Sequence, residues 1–218
     1  MKLALAIEAS SAVYAVALGD ANVPVIHREC RRDDPSFAGI GEMVSSCVAA
    51  AAGAGFAGIE TIAVDIGPGS LSSVRAAVAY ANGLAFSLGI MVFCANSLEL
   101  MAAASREIQP SPALCVRKGE AGNVYAGIFT EDQAPALRYG PFRDTVEALA
   151  GEHGKITVAG AHRQAVADLL AGAHVRDTGI DQPSVLTLYA MMQAQRAEPG
   201  RLVRIASPLN EGSRVFHG

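Results

Sequence analysis

Apolar residues dominate Lys2–Glu8, in alternation, and Ala12–Leu18, which predicts two strands, and the turn signal Gly19-Asp20-Ala21-Asn22 leads into a third, Val23–Arg28. Links this short imply an antiparallel meander. After the polar break Arg31-Arg32-Asp33-Asp34-Pro35 the period lengthens to that of a helix, from about Phe37 to Ala52, with Asp34 or Ser36 placed to cap it. Thr61–Asp65 reads as a short buried strand, followed by the loop Gly67-Pro68-Gly69-Ser70 and a long helix. Strand Met91–Cys94 and a helix from Ser97 to about Arg106 complete a β-β-β-α-β-α-β-α series, which predicts a mixed sheet covered by helices. Pro110 and Pro112 mark a boundary, so two domains are expected, 1–106 and 107–218. In the second, Ala113–Val116, Val124–Thr130, Ile156–Ala159 and Leu202–Ile205 predict strands, while Thr145–Ala150, Arg163–Ala171 and Val185–Arg196 predict helices. The tail from Ser207 is polar and reads as loose. No repeat is visible.

The two helices of the first half differ from ordinary sheet-covering helices. Stepped at about 100° per residue, Val74, Val78, Ala81, Ala85 and Leu88 make one stripe suited to a sheet. The opposite side carries Ser72, Ala76, Ala79, Gly83 and Ser87, flanked by Tyr80 and Phe86, with Arg75 and Asn82 as its larger polar groups. In the earlier helix Ile40, Val44, Cys47 and Ala51 face inward, and Ala38, Glu42, Ser45, Ala49 and Gly53 face outward. Smooth backs of this kind suit the close approach of another backbone. Either a partner chain covers them or the rest of this chain does.

Composition narrows the function classes. The chain has 218 residues, 51% of them hydrophobic, no Trp and a formal net charge of -4, with no Lys/Arg run, so it lacks the basic footprint of a nucleic-acid binder. Cys30, Cys47, Cys94 and Cys115 lie in or near apolar runs with no C-x-x-C spacing, which suits buried free thiols in a reducing compartment, and the five histidines have no ligand spacing. No metal site is expected. The apolar start is interrupted at Glu8, too early for a signal peptide. Ala76–Leu98 is uncharged, but Asn82, Gly83, Ser87, Gly89 and Asn96 and a change of pattern near Ser87-Leu88-Gly89 argue for a helix, a turn and a strand rather than a membrane span.

The glycine loop sits between a strand and a helix, where a helix N-terminus favours an anion. Ser70 can cap that helix through its hydroxyl. The loop has no Gly-Lys-Ser/Thr, so it is no Walker loop, and a packed turn is the commoner use of such a sequence.

Five segments, LALAIEAS (Leu3–Ser10), GPGSLSSVR (Gly67–Arg75), GLAF (Gly83–Phe86), the helix opening Ser97-Leu98-Glu99, and CVRKGEAGNVYAG (Cys115–Gly127), together resemble the TsaB (YeaZ) family of tRNA threonylcarbamoyladenosine biosynthesis proteins. The resemblance implies an α/β, two-lobed fold of the actin, sugar-kinase and Hsp70 type (ribonuclease H-like), with a mixed sheet flanked by helices. It implies a non-catalytic subunit that supports TsaD in transferring a threonylcarbamoyl group to the adenosine beside the anticodon of tRNA. Partners would be TsaD as a heterodimer and the ATPase TsaE, with a homodimer when alone, tRNA met only through the complex, and no membrane; the compartment would be the cytoplasm. The partner surface would be Ser45, Ala49, Ser72, Arg75, Ala76, Ala79, Tyr80 and Gly83. No cofactor of its own is expected, since ATP and magnesium act at the partners, with room for weak nucleotide or anion binding at Glu8, Ser10, Gly67, Gly69 and Ser70. The chain departs from the family at Glu8 (usually Asp), Ala9 (Thr), Ser72-Ser73 (Thr-Gly) and Cys115 (Asp), and lacks the His-x-x-x-His metal pair of TsaD-like enzymes. Two rival readings rank lower. A small ATPase or kinase would use Glu8, Ser10, Asp65 and Gly67–Ser70 but lacks a placed Lys or second Asp, and a protease lacks a G-x-S-x-G elbow and a triad histidine.

Overall fold

The computed structural model describes residues 2–20, 24–51, 55–110, 112–151, 153–171, 174–195, 197–198 and 200–217. Two compact units emerge: unit 1 comprises Met1–Asn96 and Ser184–Pro208, unit 2 comprises Ser97–Pro183 and Leu209–Gly218.

Unit 1 holds strands β1 (Leu3–Glu8), β2 (Val13–Gly19), β3 (Pro24–Arg31), β4 (Ile59–Asp65), β5 (Val92–Ala95) and the short β11 (Leu202–Val203), in sheet order β11-β5-β4-β1-β2-β3. β1–β2 and β2–β3 pair antiparallel, as their short links require, and β1–β4 and β4–β5 pair parallel. The parallel pairs need crossovers, supplied by α1 (Ile40–Ala50) and α2 (Leu71–Leu88). Leu3, Leu5 and Ile7 of β1 and Tyr14, Val16 and Leu18 of β2 share one buried cluster with Ile40, Val44 and Cys47 of α1 and Val74, Val78, Ala81 and Ala85 of α2. The alternate positions, Ala4, Ala6, Ala15, Ala17 and Ala63, are buried alanines. They make a flat floor for α6 (Val185–Gln195), which packs on β1, β2 and β4. The predicted strand Leu202–Ile205 shortens to β11, and helix Val185–Arg196 is seen to Gln195, Arg196 lying outside the described residues.

Unit 2 repeats the plan. Strands β6 (Ala113–Lys118), β7 (Asn123–Phe129), β8 (Ala136–Pro141), β9 (Lys155–Ala159) and β10 (His174–Asp177) lie in order β10-β9-β6-β7-β8. α4 (Phe142–Ala150) and α5 (Arg163–Leu169) make the crossovers, and α3 (Ser97–Ile108) packs on β6, β7 and β9. The order 3-2-1-4-5 thus occurs twice, which is the duplicated ribonuclease H-like plan of the actin and sugar-kinase fold. The expected split at 106/107 differs from the units at two places, because α3 completes the second sheet and α6 the first. The tail is also packed rather than loose: a 3-10 turn at Arg214–Phe216 places Phe216, 4% exposed, 5.1 Å from the Tyr125 ring.

α2 ends in the way that separates it from β5. Gly89 adopts φ 68°, and the Ile90 N–H donates to the Ala85 carbonyl at 3.0 Å, closing the last turn. Ala76–Leu98 is therefore a helix, a turn and a strand. Among the described residues no helix is long and apolar enough to cross a membrane.

Candidate partner face and glycine loop

α1 and α2 lie side by side on one face of the first sheet. Tyr80 reaches across between them: its ring is tight enough on Gly41 that a Cβ there would stand 3.4 Å from the ring edge. The ring packs on the core, and burial pushes the hydroxyl pKa up. Outward of this contact, Ser72, Arg75, Ala76, Ala79 and Gly83 of α2 and Ala49 of α1 are exposed, while Ser45 and Tyr80 are half-buried. The structure thus gathers all eight expected partner residues onto two neighbouring helices. Gly53, expected in the outer stripe, lies outside the described residues. The inner stripe of α1 is buried as expected, including Ala51 just past its end. Exposed charge on the face comes from Glu42 and Arg75.

Two apolar residues extend the face. Phe86 on α2 is 90% exposed, and Ile205 is 74% exposed. Asn82 secures Ile205 by accepting from the Ala206 N–H at 2.8 Å and donating to the Ala206 carbonyl at 3.0 Å. Helix stepping placed Phe86 at the flank. Ile205 carries no signal in the sequence, because only the fold brings it to α2.

At the N-terminal end of α2 the glycine loop meets the β1–β2 turn. The Ser70 N–H donates to the Ser10 carbonyl at 2.9 Å, and a Cβ on Gly69 would stand 2.2 Å from that same oxygen, so only glycine fits. Gly67, with φ 88°, donates its N–H to Asp65 Oδ1 at 2.8 Å. Glu8 Oε1 accepts from both the N–H and the hydroxyl of Ser10, each at 2.6 Å. Glu8, Ser10 and Asp65 are all buried. The five residues expected around an anion come together at this turn, with the Ser10 donors on Glu8 and the Ser70 N–H on the Ser10 carbonyl. The N–H groups of Ser10, Gly67 and Ser70 have internal acceptors, and two buried carboxylates, Glu8 and Asp65, stand beside them.

Neither expected cap forms. The Ser70 hydroxyl makes no capping bond; it lies 2.9 Å from Ser73 Oγ, and Arg32 Nη1 donates to both hydroxyls at 3.2 Å. α1 starts after Gly39 without a side-chain cap, because Asp34 Oδ1 is taken by the Ser36 N–H and hydroxyl in a turn further upstream. Those two bonds hold the Asp34 carboxyl below its usual range. Asp33 pairs with Arg31, and among the described residues no group of three or more His, Cys, Asp or Glu could hold a metal.

Comparison with known proteins adds the family. A sequence profile described as TsaD, tRNA N6-adenosine threonylcarbamoyltransferase, matches residues 39–153, more than half of the chain and the whole of α1 and α2. The chain belongs to this TsaD family. Two solved structures from Pseudomonas aeruginosa share the fold. YeaZ is 22% identical with a TM-score of 0.77, covering 96% of this chain and all (100%) of its own. An uncharacterized protein with similarity to peptidase YeaZ is 21% identical with a TM-score of 0.77, covering 96% of this chain and 99% of its own. No curated protein sequence matches the chain at a significant level. The TsaD-family match begins at residue 39, after the β1–β2 turn, so the Glu8–Ser10 arrangement lies outside the matched span.

Proposed function

We propose that this chain is a non-catalytic subunit that supports a TsaD-type enzyme in transferring a threonylcarbamoyl group to the adenosine beside the anticodon of tRNA, and that it docks through the backs of α1 and α2. The observation that carries this reading is the exposed face from Ser72 to Phe86, which has one charge, Arg75, over four helical turns. A helix that only covers a sheet gains by showing charges to water. A close helix-on-helix contact gains from small residues, since they let the backbones approach and exclude water. The absence of histidine from α1 and of a metal-binding group among the described residues favours leaving the chemistry, with its ATP and magnesium, to partner subunits. In this reading TsaE joins the TsaD complex, tRNA is met only through that complex, and two copies pair through the same face when the chain is alone, in the cytoplasm. The alternative, a small ATPase or kinase, is disfavoured by the internally satisfied donors around Ser10.

The test is size-exclusion chromatography with light scattering, on the chain alone and mixed with a TsaD-type protein from the same source. Wild type should pair in both settings. Ala79→Arg and Gly83→Glu should remain folded and fail to pair, since each puts an unpartnered charge at the contact. If both variants assemble as wild type does, the docking face lies elsewhere.

A further inference from the structure

β3 is the outermost strand of the first sheet: β2 lies on one side, and among the described residues no strand pairs with the other. The antiparallel ladder fixes which of its main-chain groups are already bonded. The Arg32 N–H donates to the Ala12 carbonyl at 2.9 Å, and hydrogen-bonded pairs recur at every second residue. Ile26, Arg28 and Cys30 therefore bond β2, while His27 and Glu29 turn their N–H and C=O groups outward. Side chains alternate as well. Ile26, Arg28 and Cys30 lie on the α1 side, where Ile26 and Cys30 pack on the buried cluster. His27 and Glu29 lie on the other side, exposed and 3.1 Å apart. A cleft of 540 Å³ runs between β3 and α1, with Arg28 and Cys30 on one wall and Glu42, Met43 and Ser46 on the other, so α1 does not cover the edge. An open edge of this kind is a template for another strand.

We propose that the strand is a second copy of this chain: two β3 strands pair antiparallel about a two-fold axis at Arg28 and join the two first sheets into one. The pattern around Arg28 selects this occupant and this register. The axis places His27 opposite Glu29 of the second copy and Ile26 opposite its Cys30, each twice. The outward main-chain groups of residues 27 and 29 then form the hydrogen-bonded pairs, and on one face two imidazoles alternate with two carboxylates. The neighbouring symmetric registers fit worse. An axis at His27 sets Glu29 opposite Val25, and an axis at Glu29 sets that carboxylate against its own copy and His27 against Arg31. With the axis at Arg28, the guanidinium meets its own copy, and Glu42 of each chain lines the same cleft. The contact uses the sheet edge and none of Ala76, Ala79 and Gly83, so it can fail while the α1/α2 reading stands, and the reverse.

The test is disulfide trapping of the full chain with oxidised glutathione, read on non-reducing gels, in a Cys30→Ser background that removes the native thiol of the strand. On the axis, residue 28 faces its own copy in a non-hydrogen-bonded pair, about 4.5 Å between Cα atoms, which a disulfide spans. Residue 29 lies diagonally from its copy, at roughly 7–8 Å, beyond easy reach. Arg28→Cys should therefore form a covalent dimer about tenfold faster than Glu29→Cys, although both positions are exposed. Adding His27→Pro removes an outward N–H without touching the β2 ladder and should bring Arg28→Cys down to the slower rate. The contrast should persist with Ala79→Arg, which separates this contact from pairing at α2. Equal rates at the two positions, no covalent dimer, a folded His27→Pro variant that still traps fast, or a contrast lost with Ala79→Arg would each overturn the proposal. If His27→Pro does not fold, the two cysteine positions decide alone.

Discussion

α1 and α2 of unit 1 turn Ala49, Ala76, Ala79, Gly83 and Phe86 to solvent, whereas α4 and α5, in the same places of the same topology in unit 2, turn out Arg143, Asp144, Glu147, Gln164 and Asp168. Each pair does the same structural task, closing one face of a five-strand 3-2-1-4-5 arrangement over a buried aliphatic cluster. The helices of unit 2 show what that task alone asks of an outer surface: charges and amides, including the Arg143–Glu147 pair at 3.1 Å one turn apart. The bareness of α2 is therefore no requirement of the fold. Over four turns α2 shows water one exposed cation, Arg75.

The comparison can be broken most directly by matched substitutions. Ala79→Arg on α2 should weaken pairing by about a hundredfold or more, the scale of an unpaired interfacial charge, while Ala148→Arg at the exposed back of α4 should leave pairing unchanged in the same light-scattering assay. Equal loss from both would show that the two backs are equivalent. Within unit 1, Gly69→Ala must push its new Cβ away from the Ser10 carbonyl and should cost about 3 kcal/mol in urea unfolding, with pairing intact in the fraction that remains folded.

A smaller effect comes from the thiols and is shared by both units. Burial pushes Cys94 up from 9.0 to about 11, and pushes Cys47 and Cys115 in the same direction. These groups ionise more readily in the unfolded chain, so their contribution is fully present below about pH 9 and is lost as pH rises through the folded-state value near 11. Urea midpoints measured from pH 8 to 11 should fall, by roughly 2 kcal/mol of unfolding free energy from Cys94 at the upper end; a flat profile would contradict the burial of these thiols. Smallest of all, Gly83→Ala should stabilise α2 by about 1 kcal/mol, because a Cβ there meets nothing within 4 Å, and should leave pairing nearly intact. A pairing loss as large as that from Ala79→Arg would mean that a partner backbone presses directly on Gly83.

Much of unit 1 was legible in the chain because β1, β2 and most of β4 are buried on both faces and α2 is long. The runs around Leu5, Val16 and Val64 are apolar enough to announce strands, and the eighteen residues of α2 keep a clear period. The smooth back was readable for the same reason. Unit 2 was harder. β8, Ala-Leu-Arg-Tyr-Gly-Pro, and β10, His-Val-Arg-Asp, are sheet edges, and edge strands carry the charges and prolines that otherwise mark loops. Phe216 was missed as an anchor because a single aromatic in a polar tail gives no period. At the glycine loop the residue types were legible, but which donor met which acceptor was not. Ser70 had the right chemistry for a cap and was drawn instead to Arg32 and Ser73.

The exchange of α3 and α6 between the halves has a consequence for how the chain is made. The alanine floor of the first sheet is complete once β4 has been synthesised, yet its cover, α6, is encoded more than a hundred residues later. On the ribosome that surface stays bare while Ser97–Pro183 of unit 2 emerges, so the first half cannot finish ahead of most of the second. A fragment stopped at Pro110 would include α3 without the sheet it belongs to and expose a strip of alanines without the helix that seals it.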